Sequence, residues 1–190
     1  MLTPVAYVLP RSIHPTALTL AAFGAGIGAG LAIWRQAYGL ALALWLLNRA
    51  LDGLDGTFAR VHGRQTDFGG YLDVLLDTVV YAAIPATLAL HRPSSDVWLS
   101  LVALLGSFYI NGASWMYLAA LLEQRRQGAS AQGELTTITM PTGIIEGTET
   151  LAFYTLFLLF PGAIVPLFWT MALLVFATIG QRLLWARRIL

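Results

Sequence analysis

Residues 52–60 read Asp52-Gly53-Leu54-Asp55-Gly56-Thr57-Phe58-Ala59-Arg60, and the chain then runs on through Gly69 to Asp73 and Asp77. These four aspartates lie in or at the ends of two long apolar runs, residues 37–59 and 70–90. A helix crossing the hydrocarbon core of a bilayer, about 30 Å thick, needs about 20 predominantly apolar residues. Working outward, comparable runs occur at 15–34, 97–122, 143–160 and 163–184. Backbone polar groups in hydrocarbon must be satisfied within their own segment, so all six runs are expected to be helical. The fold class is all-α: a polytopic membrane protein with six transmembrane helices, a short N-terminal interfacial segment, and a single membrane domain over residues 1–190.

Composition supports that solvent. The chain has 190 residues, 57% of them hydrophobic and 11% charged, with a mean hydropathy of +0.70. Too little polar surface is left to cover a water-facing globule. There is no cysteine, which excludes disulfides, thiolate metal sites and cysteine nucleophiles and leaves oxygen or histidine to hold any metal. The net charge is only +1, and nucleic acid is not an expected partner. The first fourteen residues, Met1 to His14, lack the basic start, apolar middle and small-residue cleavage site of a signal peptide. They are expected to remain on the protein as the interfacial segment.

Arginine placement sets the expected topology, because cytoplasmic loops are enriched in Lys and Arg. With both termini inside, Arg11, Arg60, Arg64, Arg125, Arg126, Arg182, Arg187 and Arg188 fall on the inner side, and Arg35 and Arg92 on the outer. Arg49 lies within the second span and is left out of that count. The loop carrying Arg60 and Arg64 is therefore expected to face the cytoplasm. Glycines 24, 26, 28 and 30 in the first span suit close helix approach. The stretch 123–142 is the only long soluble connection.

Aspartate is costly in a membrane, about 2.5–3.5 kcal/mol near a helix centre on insertion scales. Residues i, i+3 and i+4 share one helix face, so Asp52 sits beside Asp55 and Asp73 beside Asp77. Two such pairs on adjacent antiparallel helices can converge, and four converging carboxylates repel unless positive charge lies between them. Hard divalent ions prefer oxygen ligands, which makes Mg²⁺ or Mn²⁺ the natural filler. Gly53, Gly56, Gly69 and Gly70 clear side chains from beside the carboxylates, as an approaching phosphate or nucleotide requires, although close helix packing also uses such glycines.

Written as a pattern, residues 52–77 resemble the signature of the CDP-alcohol phosphotransferase (CDP-alcohol phosphatidyltransferase) family, D-x2-D-G-x2-A-R-x8-G-x3-D-x3-D, with Asp52, Asp55, Gly56, Ala59, Arg60, Gly69, Asp73 and Asp77 at its fixed positions. The six runs in a chain of this length are similar to the family as well. His14-Pro15-Thr16-Ala17-Leu18-Thr19 partly resembles the Thr-Pro-Asn-x-Leu-Thr stretch of many members, though a helix begun by Pro15 explains it almost as well.

The resemblance implies roles. Asp52, Asp55, Asp73 and Asp77 would hold two metal ions, Mg²⁺ or Mn²⁺, that grip the diphosphate of the donor, and Asp77 would also act as general base on the acceptor hydroxyl. Gly56 and Arg60 would contact the donor nucleotide and its phosphates, with Thr66 and Pro15, Thr16, Ala17 and Leu18 as further donor contacts. The activity implied is transfer of a phosphatidyl group from CDP-diacylglycerol to a small alcohol, with release of CMP, in phospholipid synthesis. The membrane implied is a prokaryotic inner membrane, with the active site facing the cytoplasm, membrane lipids as neighbours and a homodimer as the assembly. Trp- and Phe-rich faces suit a dimer contact and the bilayer equally.

Asn111, Ser114, Glu146 and Glu149 are candidates for the acceptor pocket, the two glutamates being equally suited to pairing with Arg125, Arg126 or Arg182. The segment Ser114 to Ala120 has none of the arginine that serine- and inositol-phosphate-using members carry there, which argues against inositol phosphate and less so against glycerol 3-phosphate as acceptor, with Arg125, Arg126 and Arg182 as other sources of the charge. Histidines 62 and 91 read as solvated loop residues. Within the family, the alternative is transfer of a phospho-head group from a CDP-alcohol to a lipid alcohol. From other classes, an acid-lined cation channel or transporter would explain the carboxylates but not Gly56, Ala59 and Arg60 at their offsets, and a purely structural homologue would not need the intact acidic set.

Overall fold

The computed structural model describes residues 3–10, 12–125 and 143–190. Arg11, Arg126 and most of the polar stretch 123–142 lie outside the described residues. All regular structure among the described residues is helical: α1 (Thr3–Val8), α2 (Pro15–Trp34), α3 (Tyr38–Val61), α4 (Asp67–His91), α5 (Ser95–Gln124), α6 (Gly147–Leu159), a 3₁₀ turn at Pro161–Ala163 and α7 (Ile164–Ile189). The chain forms two compact units, residues 1–92 and 93–190.

Helices α2, α4 and α5, together with the segment Pro161–Ile189 that contains α7, are long and apolar enough to cross a membrane. The other two expected spans differ from that pattern for separate reasons. Helix α3 is 24 residues long but carries Arg49, Asp52, Asp55 and Arg60 within it. Helix α6 is only 13 residues, a rise of about 20 Å, where the sequence suggests a run over 143–160. Its ends are set locally. Before it the chain is held in a turn, with the Gly143 N–H donating to Glu146 Oε1 (2.7 Å) and the Ile145 N–H to Thr178 Oγ1 (3.0 Å). After it, Pro161 disfavours helical backbone at Phe160, which lies at φ −125° and ψ 61°.

In the first unit α2 packs against both α3 and α4. Its contact surface is made of small buried residues, among them Ala22, Ala25, Gly26, Ala29 and Gly30, so backbones approach closely. Gly26 is the tightest point: a Cβ there would stand 2.5 Å from Val80 Cγ2 and 3.1 Å from Asn48 Nδ2, whereas one on Gly24 would meet nothing within 4 Å. The four glycines of α2 thus differ in use, because residues two apart point to opposite sides of a helix.

Short helix α1 lies along α3, with Ala6 buried against Leu54 and Phe58 and with Leu9, Ile13 and Leu18 packed beside them. Tyr7 and Val8 remain exposed. Just beyond this contact α3 stops, where Gly63 adopts a left-handed φ of 61° and Arg64 N donates to Ala59 O at 2.8 Å, a common glycine helix stop. Thr66 then caps α4, its Oγ1 accepting from Gly69 N at 3.0 Å.

The second unit pairs α5 with α7, and α6 packs on α7. Phe157 and Phe168 meet edge to face, with ring centroids 4.9 Å apart, at its buried centre. His62 and His91 are less solvated than the sequence suggests: the His62 ring lies tilted against Phe58 with centroids 4.3 Å apart, and a ring nitrogen of His91 lies 2.9 Å from Trp34 O.

Adding a methyl group at the tight point of α2 tests this packing. Gly26→Ala is expected to cost about 1–3 kcal/mol through overpacking against Val80, and Gly24→Ala to change stability by less than about 0.5 kcal/mol. Thermal unfolding in detergent separates them, and equal midpoints for the two variants would contradict the packing.

Candidate active site

Helices α3 and α4 bring their acidic faces together at matched depth. Asp55 precedes the end of α3 at Val61 by as many residues as Asp73 follows the start of α4 at Asp67. The two helices meet chiefly through long side chains, because α2 occupies the space between them. Thr19, Ala22 and Phe23 of α2, Asn48 and Asp52 of α3, and Asp73, Leu76, Asp77 and Val80 of α4 line an open pocket. Asp55 is buried beside this pocket and takes its contacts from the Thr19 side chain and the Gly56 backbone. The carboxyls of Asp52 and Asp73 approach within hydrogen-bonding reach of each other.

A cation already stands among these acids. Arg49, one turn before Asp52 on α3, donates from both terminal nitrogens to the two oxygens of Asp77, the contact from Nη1 being 3.0 Å. The same Nη1 donates to the Tyr81 hydroxyl at 2.7 Å and lies 3.5 Å from Asp52 Oδ2. Its Nε donates to Asn48 Oδ1 at 2.8 Å. The guanidinium also sits over the rings of Trp45 and Tyr81, 4.9 and 5.0 Å from their centroids. Asn48 is fully enclosed and donates from Nδ2 to Ala22 O at 2.8 Å, which fixes the array to α2.

The sequence reading set Arg49 aside. Its signal was present: a basic residue within a span, three positions before an acid on the same face. Thr19 and Asn48 were missed too, since one polar residue in an apolar helix reads equally well as an interhelical hydrogen bond.

The donor set suits a hard divalent ion. All candidate ligands are carboxylate oxygens, and two of them, Asp55 Oδ2 and Asp73 Oδ1, are buried with no hydrogen-bond partner among the described residues. Buried polar atoms are rarely left so. As the side chains stand, no three acidic or histidine groups among the described residues are arranged to chelate one ion, and Arg49 engages both oxygens of Asp77.

The other expected site residues are distributed over both units. Arg60 is exposed and folds back along α3, donating from Nη2 to Thr57 Oγ1 at 3.2 Å. A Cβ on Gly56 would lie 3.4 Å from its Nη1, so Gly56 leaves an open strip of helix beneath the guanidinium. Pro15, Thr16, Ala17 and Leu18 form the first turn of α2, capped by His14 Nδ1, which accepts from Thr16 N at 3.3 Å. Thr66 is occupied as the cap of α4.

In the second unit Asn111 Oδ1 accepts from Arg182 Nη1 at 2.7 Å, and Arg182 is buried. Glu146 closes the turn before α6, and Glu149 Oε2 accepts from Glu146 N at 3.1 Å. Both glutamates therefore serve the start of that helix. Ser114 is half-buried on α5.

Helices long and apolar enough to cross a membrane, with a carboxylate cluster shared by α3 and α4, define an integral membrane protein with an acidic, cation-suited centre. The family model for CDP-alcohol phosphatidyltransferase matches residues 12–180, and the chain belongs to that family of phospholipid-synthesising transferases. It is 37% identical over 149 residues to the inner membrane protein YnjF of Escherichia coli, covering 78% of this chain and 71% of that one. It is 29% identical over 156 residues to the phosphatidylinositol phosphate synthase of Corynebacterium glutamicum, covering 78% and 64%. With the bifunctional IPC transferase and DIPP synthase of Thermococcus kodakarensis it shares 34% identity over 111 residues, 57% of this chain but 26% of the longer protein. The fold matches the phosphatidylinositol phosphate synthase of Mycobacterium tuberculosis with CDP-DAG bound, at a TM-score of 0.70 and 24% identity, covering 96% of this chain and 92% of that one. The same protein in complex with manganese and citrate gives a TM-score of 0.69 at 22% identity, covering 98% and 88%.

Asn48 holds both the α2 contact and the Arg49 array. Asn48→Ala is expected to cost about 1–3 kcal/mol, by removing a buried hydrogen-bond donor and acceptor together. A lowered thermal midpoint checks this; an unchanged one would show that Asn48 is dispensable to the array.

Proposed function

We propose that this enzyme transfers a phosphatidyl group from CDP-diacylglycerol to a small alcohol and releases CMP on the cytoplasmic side of a prokaryotic inner membrane. The observation that carries the reading is the carboxylate cluster of α3 and α4, with the orphaned oxygens of Asp55 and Asp73, set at the spacing of the family signature. CDP-DAG is bound in a protein of the same fold, which supports the choice of donor.

In this reading Asp52, Asp55, Asp73 and Asp77 hold two divalent ions, Mg²⁺ or Mn²⁺. Such ions neutralise a diphosphate and stabilise the departing nucleotide. Arg60, exposed above the side-chain-free strip at Gly56, supplies a planar donor for phosphate oxygens. The first turn of α2, Pro15 to Leu18, and Thr66 border the donor. The acceptor oxygen bonds to the phosphorus that carries the diacylglycerol, and the bond from that phosphorus to the CMP oxygen breaks. The hydroxyl proton passes to Asp77, whose value as a base lies in holding the hydroxyl in line.

We place the whole chain in one membrane domain of six transmembrane helices, with α3 and α6 joining the four that are both long and apolar enough to cross. The charges of α3 then face the cluster, and short α6 is completed by the turn before it. Arginine placement supports inside termini. Asn111, Ser114, Glu146 and Glu149 are assigned to the acceptor region. The Asn111–Arg182 pair gives that region a buried cation even though residues 114–120 lack one. A homodimer in the lipid completes the reading. The family alternative, a CDP-linked head group passed to a lipid alcohol, differs in which CDP compound yields CMP.

CMP release in detergent, with Mn²⁺ and a panel of acceptor alcohols, tests this. Asp77→Asn is expected to lower kcat by at least about 100-fold, and Arg60→Ala to raise KM for the donor more than it lowers kcat. Unchanged turnover in Asp77→Asn would remove the base assignment, and CMP formed only from a CDP-linked head group would favour the alternative. Chelation with EDTA is expected to abolish turnover and Mn²⁺ to restore it.

A further inference from the structure

The cluster contains a permanent cation that no step of the proposed reaction uses. Arg49 is charged at any accessible pH, and a positive group beside a cation site should weaken that site. Its side chain is 12% exposed and is held by groups independent of the acids. Asn48 Oδ1 accepts from Nε, the Tyr81 hydroxyl accepts from Nη1, and the rings of Trp45 and Tyr81 bracket the guanidinium. None of these neutral anchors depends on what Asp77 binds. Its neutralisation of the cluster is uneven. Both oxygens of Asp77 are engaged, while Asp55 Oδ2 and Asp73 Oδ1 have no hydrogen-bond partner among the described residues.

From this geometry we infer that Arg49 is a built-in counter-cation that fixes the orientation of Asp77 and limits how tightly divalent ions bind. The inference rests on the reading that these aspartates hold such ions. Without ions, four clustered carboxylates in a low-dielectric setting would drive α3 and α4 apart. Arg49 offsets part of that charge and ties the two helices together. With ions present it need not leave. A carboxylate offers about four lone-pair sites, and a bidentate guanidinium takes two of them. Asp77 can therefore be shared, held from the α3 side by the arginine and free on its other lone pairs. The remaining demand for positive charge lies at Asp55 and Asp73.

The test uses the full chain in detergent with Mn²⁺ as the probe, its free concentration followed by electron paramagnetic resonance, and thermal midpoints measured with Mn²⁺ or with EDTA. Arg49→Met removes the charge while keeping bulk. It is expected to tighten Mn²⁺ binding by about tenfold or more and to lower the midpoint in EDTA far more than in Mn²⁺, since a ligand that binds only the folded state stabilises it. Arg49→Lys keeps the charge but loses the fork. Its Kd for Mn²⁺ is expected to stay within about threefold of wild type, with kcat rather than KM reduced because Asp77 is less firmly held.

If Arg49 is only a tie between helices, Arg49→Met lowers both midpoints equally and leaves the Kd unchanged; that result overturns the inference. Should Arg49→Met give no folded protein with or without Mn²⁺, Arg49→Gln decides, since it removes the charge while keeping a hydrogen-bond donor. It is expected to tighten Mn²⁺ binding by about tenfold, and an unaltered Kd counts against the inference. A wild type that binds no Mn²⁺ overturns instead the metal assignment beneath it.

Discussion

Charge neutrality in a medium that solvates ions poorly governs the first half of this protein. Carboxylates meant to hold divalent ions must be close enough to share them, and that closeness is destabilising whenever the ions are absent. Under the proposed metal role, the arrangement around Asp77 answers the second of these. Arg49 offsets part of the charge from within α3, and its neutral anchors, Asn48, Trp45 and Tyr81, reach to three different features: the carbonyl of Ala22, the interior of α3 and the face of α4. Helix α2 matters here because its small residues allow it to stand between α3 and α4 while long polar side chains meet at the pocket.

Much of this was legible in the sequence, for reasons that differ by residue. Asp52, Asp55, Asp73 and Asp77 stand out because ionisable groups in apolar runs require compensation, and helical periodicity places them in pairs. Spans 15–34 and 37–59 end close to where α2 and α3 end, since Arg35, Gly63 and the polar residues around them interrupt apolar periodicity directly. The wedge made by α2 was not legible. Glycines at alternate positions do not reveal which neighbour each will face, and only the fold shows that Gly26 meets Val80 while Gly24 meets nothing. Arg49 was hidden by its own success as a partner, because a basic residue in a span reads as an irregularity in a topology count until the acid opposite it is known.

The second unit was harder to read for a related reason. Glu146 and Glu149 share the spacing that marked the aspartates, yet they spend their oxygens on the backbone N–H groups of Gly143 and Glu146. Two acids at i and i+3 beside a helix start carry the same pattern as a capping arrangement, and spacing alone does not separate the two uses. The shortness of α6 follows from the same turn. An apolar run counts residues, whereas a helix begins only where the backbone turns into it.

The packing of α1 bears on how anything reaches the cluster. Ala6 and its neighbours cover Leu54 and Phe58, closing one flank of α3, while Gly53 and Arg60 on the opposite flank stay uncovered. Within this unit, a molecule approaching α3 on that flank would meet the bare backbone at Gly53 before it met an acid. The polar head of a lipid would fit along such a strip while its tails stayed outside it.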